Sequence, residues 1–189
     1  MPKIVDRDAY RLKLLSKSFE LFARHGYTNI SMRQIAEEIG ISTGTLYHYF
    51  SSKKELFKQI TLILSQNDIS QIAELAKGNT SLEERLDLLF YHIREDEAAI
   101  LNSLLFAFDF YRLHLEEDKD GDLIRRTRAD YHKVLTTLVG LPPDLAILLF
   151  TSIDGIIMHQ AIAPKQVDLD AQLTLLKEMI INQMKERKV

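Results

Sequence analysis

Thr43, Thr45, Tyr47 and His48 place two hydroxyls, a phenol and an imidazole within six residues, and Ser31, Arg33 and Lys53 flank them. Hydroxyl and imidazole groups can pair with base edges or phosphate oxygens, a threonine methyl can meet a thymine methyl, and Arg and Lys neutralise phosphates. This is the chemistry of gripping a polyanion. Bond-making chemistry has no comparable set. There is no cysteine, and the six histidines (25, 48, 92, 114, 132 and 159) show no HxxxH or HxH spacing. No glycine-rich phosphate loop occurs either, so neither an enzyme nor a resident cofactor or metal is expected. His92, His132 and His159 could meet in the body as ligand groups, but the plainer reading is hydrogen-bonded core histidines.

The elements that must position the polar set are legible in Ser31 to Lys54, SMRQIAEEIGISTGTLYHYFSSKK. Ser31 with Gln34 is a capping box, so a helix starts at Met32 and buries Ile35, Ala36 and Ile39. Gly40 stands where a left-handed residue must end it. Ser42 is a second N-cap, for a helix from Thr43 to Tyr49 anchored by Leu46. Ser52 with Glu55 predicts the next helix start near Lys53. Isolated helices below roughly 12 to 15 residues are marginal in water, so both short helices need neighbours to hold them. Upstream, Asp8 to His25 reads as a helix with Leu12, Leu15, Phe19 and Phe22 inward, ended by Gly26. Tyr27 and Ile30 then close over the small core.

Two brief helices about a glycine turn, the second short enough for a major groove, form the helix-turn-helix pattern. Thr45 to Phe50 followed by Lys53 to Leu56 resembles the DNA-binding domain of TetR-type transcriptional repressors, over roughly Ala9 to Ile60. The resemblance implies an all-α fold of about nine helices. A three-helix DNA-binding domain would span 1–52, and a helical effector-binding and dimerisation domain 53–189. It also puts Tyr47 and Lys53 where the family contacts the DNA backbone, and Ser31 and Arg33 at the phosphate-facing start of the preceding helix. Tyr49 and Phe50 read as packing residues.

Charge follows the same division. Residues 1–58 hold ten Lys/Arg against six Asp/Glu, and the remaining chain 14 against 21, although the net charge of the chain is only −3. A phosphate-binding end needs that local positive excess, and an acidic body stays off the duplex. The charged start MPKIVDRDAYR is no signal peptide, and no apolar run was expected to reach the roughly 18 residues of a membrane span, so a cytoplasmic protein is expected.

Beyond Lys53 a long helix carries Leu56, Ile60 and Leu64 to about Ala76, and Lys77-Gly78-Asn79-Thr80 breaks it. Further helices follow: one bearing Leu82, Leu86, Leu89, Phe90 and Ile93; Ala98 to Leu115; Asp122 to about Val139; Leu145 to Ile162; and Asp168 to about Arg187. The second of these is apolar all round and so expected to be buried on most sides. The last places Leu169, Leu173, Leu176, Ile180 and Met184 in a near-heptad stripe, and these last two helices are read as a hairpin that pairs with the same hairpin of a second copy in a two-fold four-helix bundle, the stripe forming its interface. The alternative is a monomeric core. Ile153 to Gln160 resembles the corresponding helix of many TetR-like proteins. The family also implies an effector cavity, which Phe106, Phe110, Tyr111, Tyr131, Phe150, Met158 and His159 would line, with Asp109, Arg112 and Asp154 as the charged groups nearest to it. The leading expectation is a dimeric repressor that binds a palindromic operator in duplex DNA and is released by a small, largely apolar effector. The alternative is the same head controlled by a protein partner.

Overall fold

The computed structural model describes residues 6–75, 81–114 and 121–187. The expected break at 77–80, most of the polar loop at 116–122 and the first five residues lie outside them. Among the described residues there are nine α-helices and no strand: α1 Arg7–His25, α2 Met32–Ile39, α3 Thr43–Tyr49, α4 Lys53–Leu75, α5 Leu82–Glu95, α6 Glu97–His114, α7 Gly121–Val134, α8 Pro143–Ile162 and α9 Leu169–Glu186. One π-helical turn, Leu135–Val139, follows α7. The chain divides into two compact units, Met1–Leu64 with Leu105–Ile124, and Ser65–Leu104 with Arg125–Val189. The first therefore reaches beyond residue 52, and α4, α6 and α7 have residues in both.

The first unit is built on aromatic rings. Phe57 stacks on Phe110 at 3.8 Å between centroids and lies 4.2 Å from Phe106, while Tyr27 sits edge-on to both Phe57 and Phe110 at 5.4 Å. Leu46, Phe50, Leu56 and Ile35 fill the space beneath α2 and α3, each with no exposed surface. The inward face of α1 is Leu14, Leu15, Ser18, Leu21 and Phe22. Leu12, expected inside, is 53% exposed. Two interleaved apolar sets run along this helix, and burying Leu14 with Leu21 turns Leu12 outward at 3.6 residues per turn.

The second unit has an aliphatic core in which Leu86, Leu89, Phe90 and Ile93 of α5 meet Leu145, Leu149, Ile153 and Ile157 of α8 and Leu169, Leu173, Leu176 and Ile180 of α9. Ser81 caps α5 in a full capping box with Glu84. Asp168 caps α9, its carboxylate accepting from the Ala171 N–H at 3.1 Å. Against expectation, α8 is long and apolar enough to cross a bilayer, with 20 residues and a mean hydropathy of 1.7. Its inward residues belong to this core, and mid-helix Asp154 is ion-paired with Arg128 at 2.8 Å. Only 28% of the helix's apolar window is buried within the chain, so much of its surface is left open.

Candidate nucleic-acid interface

The two short helices are held at their ends by the expected groups. The Ser31 N–H and hydroxyl both donate to Gln34 Oε1, at 2.9 and 2.7 Å, and Ser31 Oγ accepts from the Gln34 N–H. Gly40 adopts φ +81°, and its N–H and that of Ile41 both return to the Ala36 carbonyl. Ser42 Oγ accepts from the Thr45 N–H at 3.0 Å and also bonds the Thr45 hydroxyl at 2.8 Å. Leu46, with no exposed surface, pins α3 to the core. The turn is thus fixed by local hydrogen bonds and one anchor. Ser52 Oγ accepts from the Glu55 N–H at 3.0 Å, but the Glu55 carboxylate accepts from Gln59 Nε2 at 2.6 Å.

The outward face is now defined. Tyr47 is 50% exposed, Arg33 and His48 are exposed, and Thr43 is half-buried. Thr45 is half-buried too, and its hydroxyl is engaged by Ser42. The Ser31 hydroxyl is likewise spent on its cap. Lys53 departs from expectation. Its ammonium donates to the Tyr27 carbonyl at 2.8 Å and the Ile30 carbonyl at 3.0 Å, and lies 4.5 Å from the centre of the Tyr27 ring. Burial pushes its pKa down. An ammonium has three donors, so two are committed to the α1–α2 loop. Lys53 is first a staple of the head.

Sequence reasoning overlooked Gly44, which is exposed on α3. A Cβ there would meet only Ser42 Oγ, at an ordinary 3.8 Å. Glycine inside a helix costs about 1 kcal/mol relative to alanine, and nothing within the chain requires it here. The signal was present: a glycine within a seven-residue helix asks for a reason outside the helix.

The other predicted sites are redistributed. Phe106 and Phe110 fill the core of the first unit, at 5% and 1% exposure, and are not free to line a cavity, while Tyr111 is exposed. In the second unit Tyr131 stacks against Phe150 at 5.3 Å, Arg128 lies over the same ring, and His132 meets it edge-on. The Tyr131 hydroxyl donates to Asp68. Burial raises the pKa values of Asp68 and Asp154, opposed by the bonds from Tyr131 and Arg128 respectively, and burial beside Asp68 raises that of Tyr131. Met158 packs against the core of this unit, and His159 is exposed. A polar cavity of about 550 Å³ at the α8–α9 turn, lined in part by Arg94, Gln160, Lys165 and Asp170, touches none of the seven predicted effector residues. His92 pairs with Asp96 at 3.0 Å, and among the described residues no three His, Asp or Glu groups converge to hold a metal.

The interface predicted on α9 is corrected. Leu169, Leu173, Leu176 and Ile180 are buried inside their own unit, and Met184 packs against the same core. A heptad stripe shows which face is covered, but not whether the cover is its own chain or a second copy. The apolar residues left outside are Leu175 and Met179 on α9, at 51% and 52%, with Ile147, Leu148 and Ile162 on α8. On α6, Leu105, Phe108 and Tyr111 are also exposed, although that helix was expected to be covered on most sides.

A short capped helix held by one leucine, with phenol, imidazole and guanidinium outward beside it, makes the first unit a helix-turn-helix DNA-binding head. Residues 14–60 match the family described as "Bacterial regulatory proteins, tetR family". The chain is similar to the HTH-type transcriptional repressor AcnR of Corynebacterium diphtheriae, at 28% identity over 177 residues and 90% of each chain. It is also similar to the HTH-type transcriptional regulator PksA of Bacillus subtilis, at 23% identity, 90% of this chain and 87% of that one. Two solved structures share the fold: the fatty acid degradation regulator FadR from Bacillus halodurans (TM-score 0.72, 18% identity, 90% and 93% of the two chains) and a transcriptional regulator from Rhodococcus sp. Rha1 (TM-score 0.72, 20% identity, 92% and 96%). The head is thus similar to the DNA-binding region of TetR-type regulators, and over most of its length the chain is similar to HTH-type transcriptional regulators.

Proposed function

We propose that the protein is a cytoplasmic repressor that binds a palindromic operator as a homodimer and leaves it when a small molecule enters the second unit. Functionally the chain divides at residue 52: residues 1–52 read DNA, and 53–189 hold the effector and dimer surfaces. The observation that carries the reading is the outward set Arg33, Tyr47 and His48 on two short helices whose starts, and the turn between them, are locally capped. Thr43 and the face left open by Gly44 let α3 approach the duplex closely. Ser31, Thr45 and Lys53 act mainly by holding that surface in shape.

Pairing through the exposed apolar residues of α8 and α9, Ile147, Leu148, Leu175 and Met179, gives the two heads the spacing of two half-sites. Surface apolar groups gathered on adjacent helices mark an interaction site. The effector enters beside Tyr131, Phe150 and Met158, where a stacked ring pair adjoins the half-buried Asp68 and Arg128–Asp154 groups. α4 begins at Lys53 and runs unbroken to Leu75, so a change in its tilt alters the separation of the recognition helices. Half-sites lie about one duplex turn apart, or a multiple, so a shift of a few ångströms is enough to release the operator.

A second reading, control by a protein partner, is favoured by the exposed Leu105, Phe108 and Tyr111 on α6. The test is enrichment of bound duplexes from a random pool, followed by Tyr47→Ala on the selected site. Loss of affinity with unchanged folding supports the reading, and unchanged affinity with an unchanged salt dependence rejects this contact surface.

A further inference from the structure

We propose that Asp109, on α6 and remote in sequence from the recognition helix, is a positioning residue for DNA binding. It clasps the loop between α1 and α2, so that the head is competent only while this carboxylate holds the Tyr27 N–H. The inference rests on the DNA-binding reading above and names a residue that reading does not use.

Asp109 Oδ2 accepts from the backbone N–H of Tyr27 at 3.0 Å, a bond spanning 82 residues. Arg112, one turn along α6, approaches the other oxygen at 3.4 Å. From the opposite side Lys53 donates to the carbonyls of Tyr27 and Ile30. The loop that delivers the chain to the Ser31 cap is therefore gripped on its donor by one charged group and on its acceptors by another. Both belong to helices that follow the turn in sequence. The Tyr27 ring, 5% exposed, is held by Phe57 and Phe110.

Gly26 shows how closely the clasp fits. Its φ of +78° lies in the region that favours glycine, and a Cβ there would come within 3.0 Å of Asp109 Oδ2. The glycine ends α1, with its N–H on the Phe22 carbonyl at 2.8 Å, and also makes room for the carboxylate. Without Asp109 the Tyr27 N–H loses its charged acceptor, and the loop samples arrangements in which α2 and α3 are not presented together. Apparent affinity then falls by the fraction of heads that remain competent. Because α6 is continuous from Glu97 to His114, a rotation or shift along it also moves the clasp.

The test compares Asp109→Ala with Asp109→Asn in the full chain. Amide exchange at Tyr27 is read without DNA, and binding is read on a duplex enriched by the wild-type protein from a random pool. Both variants lose the same negative charge, which by electrostatics alone would tighten binding to DNA. Asn keeps an acceptor oxygen and Ala does not. We expect Tyr27 to be protected in the wild type and in Asn, and to exchange about tenfold or more faster in Ala, with duplex Kd raised by a similar factor and the salt slope unchanged. Equal behaviour of the two variants, or a Tyr27 amide unprotected in the wild type, overturns the proposal. If Ala does not fold, the wild-type amide and the Asn variant still decide it. Failure of the wild type to enrich any duplex would count against the DNA-binding reading, while the exchange result would still test the clasp.

Discussion

The core around Leu46 and the core around Leu149 solve the same problem with different materials. Beneath α2 and α3, rings from distant helices interlock at centroid distances of 3.8 to 5.7 Å, and the polar groups are spent at helix ends. Around α8 the side chains are mostly aliphatic, and charged groups lie within the packing: Asp68 under Tyr131, and Asp154 against Arg128. A head that must present one fixed surface gains from caps and interlocked rings. The second unit instead keeps polar groups among its packed side chains and leaves apolar surface outside, which suits the proposed role of answering a ligand.

The widest separation between the two regions should come from their exposed faces. A Leu175→Arg and Met179→Glu double variant is expected to sediment as a monomer and to lose on the order of 100-fold or more in operator affinity, the scale at which linked sites gain over single ones. Its head should retain its fold. A double variant that stays dimeric removes the proposed interface. By contrast Leu173→Ala, at a position with no exposed surface, should destabilise the second unit by about 2 to 5 kcal/mol in denaturant unfolding, as expected for a core residue rather than an interface one.

Next in size is the reading face. Tyr47→Ala should weaken duplex binding by about tenfold while moving the unfolding midpoint little, because the side chain is half exposed and surface substitutions usually fall within about 0.5 kcal/mol. Leu46→Ala, its buried neighbour, should lose binding through loss of fold, visible as faster amide exchange throughout α2 and α3.

The smallest effect concerns pH. Burial raises the pKa values of Asp68 and Asp154, so between the unfolded carboxylate value of about 4 and the raised folded value the folded state binds more protons. Their contribution to stability is therefore greatest below that window and is lost as pH rises through it. Asp68→Asn should flatten this part of the stability profile of the second unit, read by thermal unfolding from pH 4 upward.

The same contrast explains what the sequence made legible. The limits of α2 and α3 follow from Ser31 with Gln34, Gly40, and Ser42 with Thr45, all partners within four residues. The α9 stripe was equally visible, but amphipathicity does not identify the partner, and Leu173 proved to be covered by its own chain. Phe106 and Phe110 looked like cavity lining because their stacking partner, Phe57, is some fifty residues away. Asp109 had no local signature at all, since its bond reaches back 82 residues. Local chemistry reads well from sequence, and long-range pairing does not.

The central claim is that Ser31 to Lys54 forms one of two DNA-reading heads held at a fixed spacing. Its most direct test is selection of bound duplexes from a randomised pool, followed by footprinting of the winner. The account predicts an inverted repeat with protected half-sites about 10 base pairs apart, or a multiple, centre to centre. A single asymmetric site, or no enrichment of any duplex over the starting pool, would contradict it.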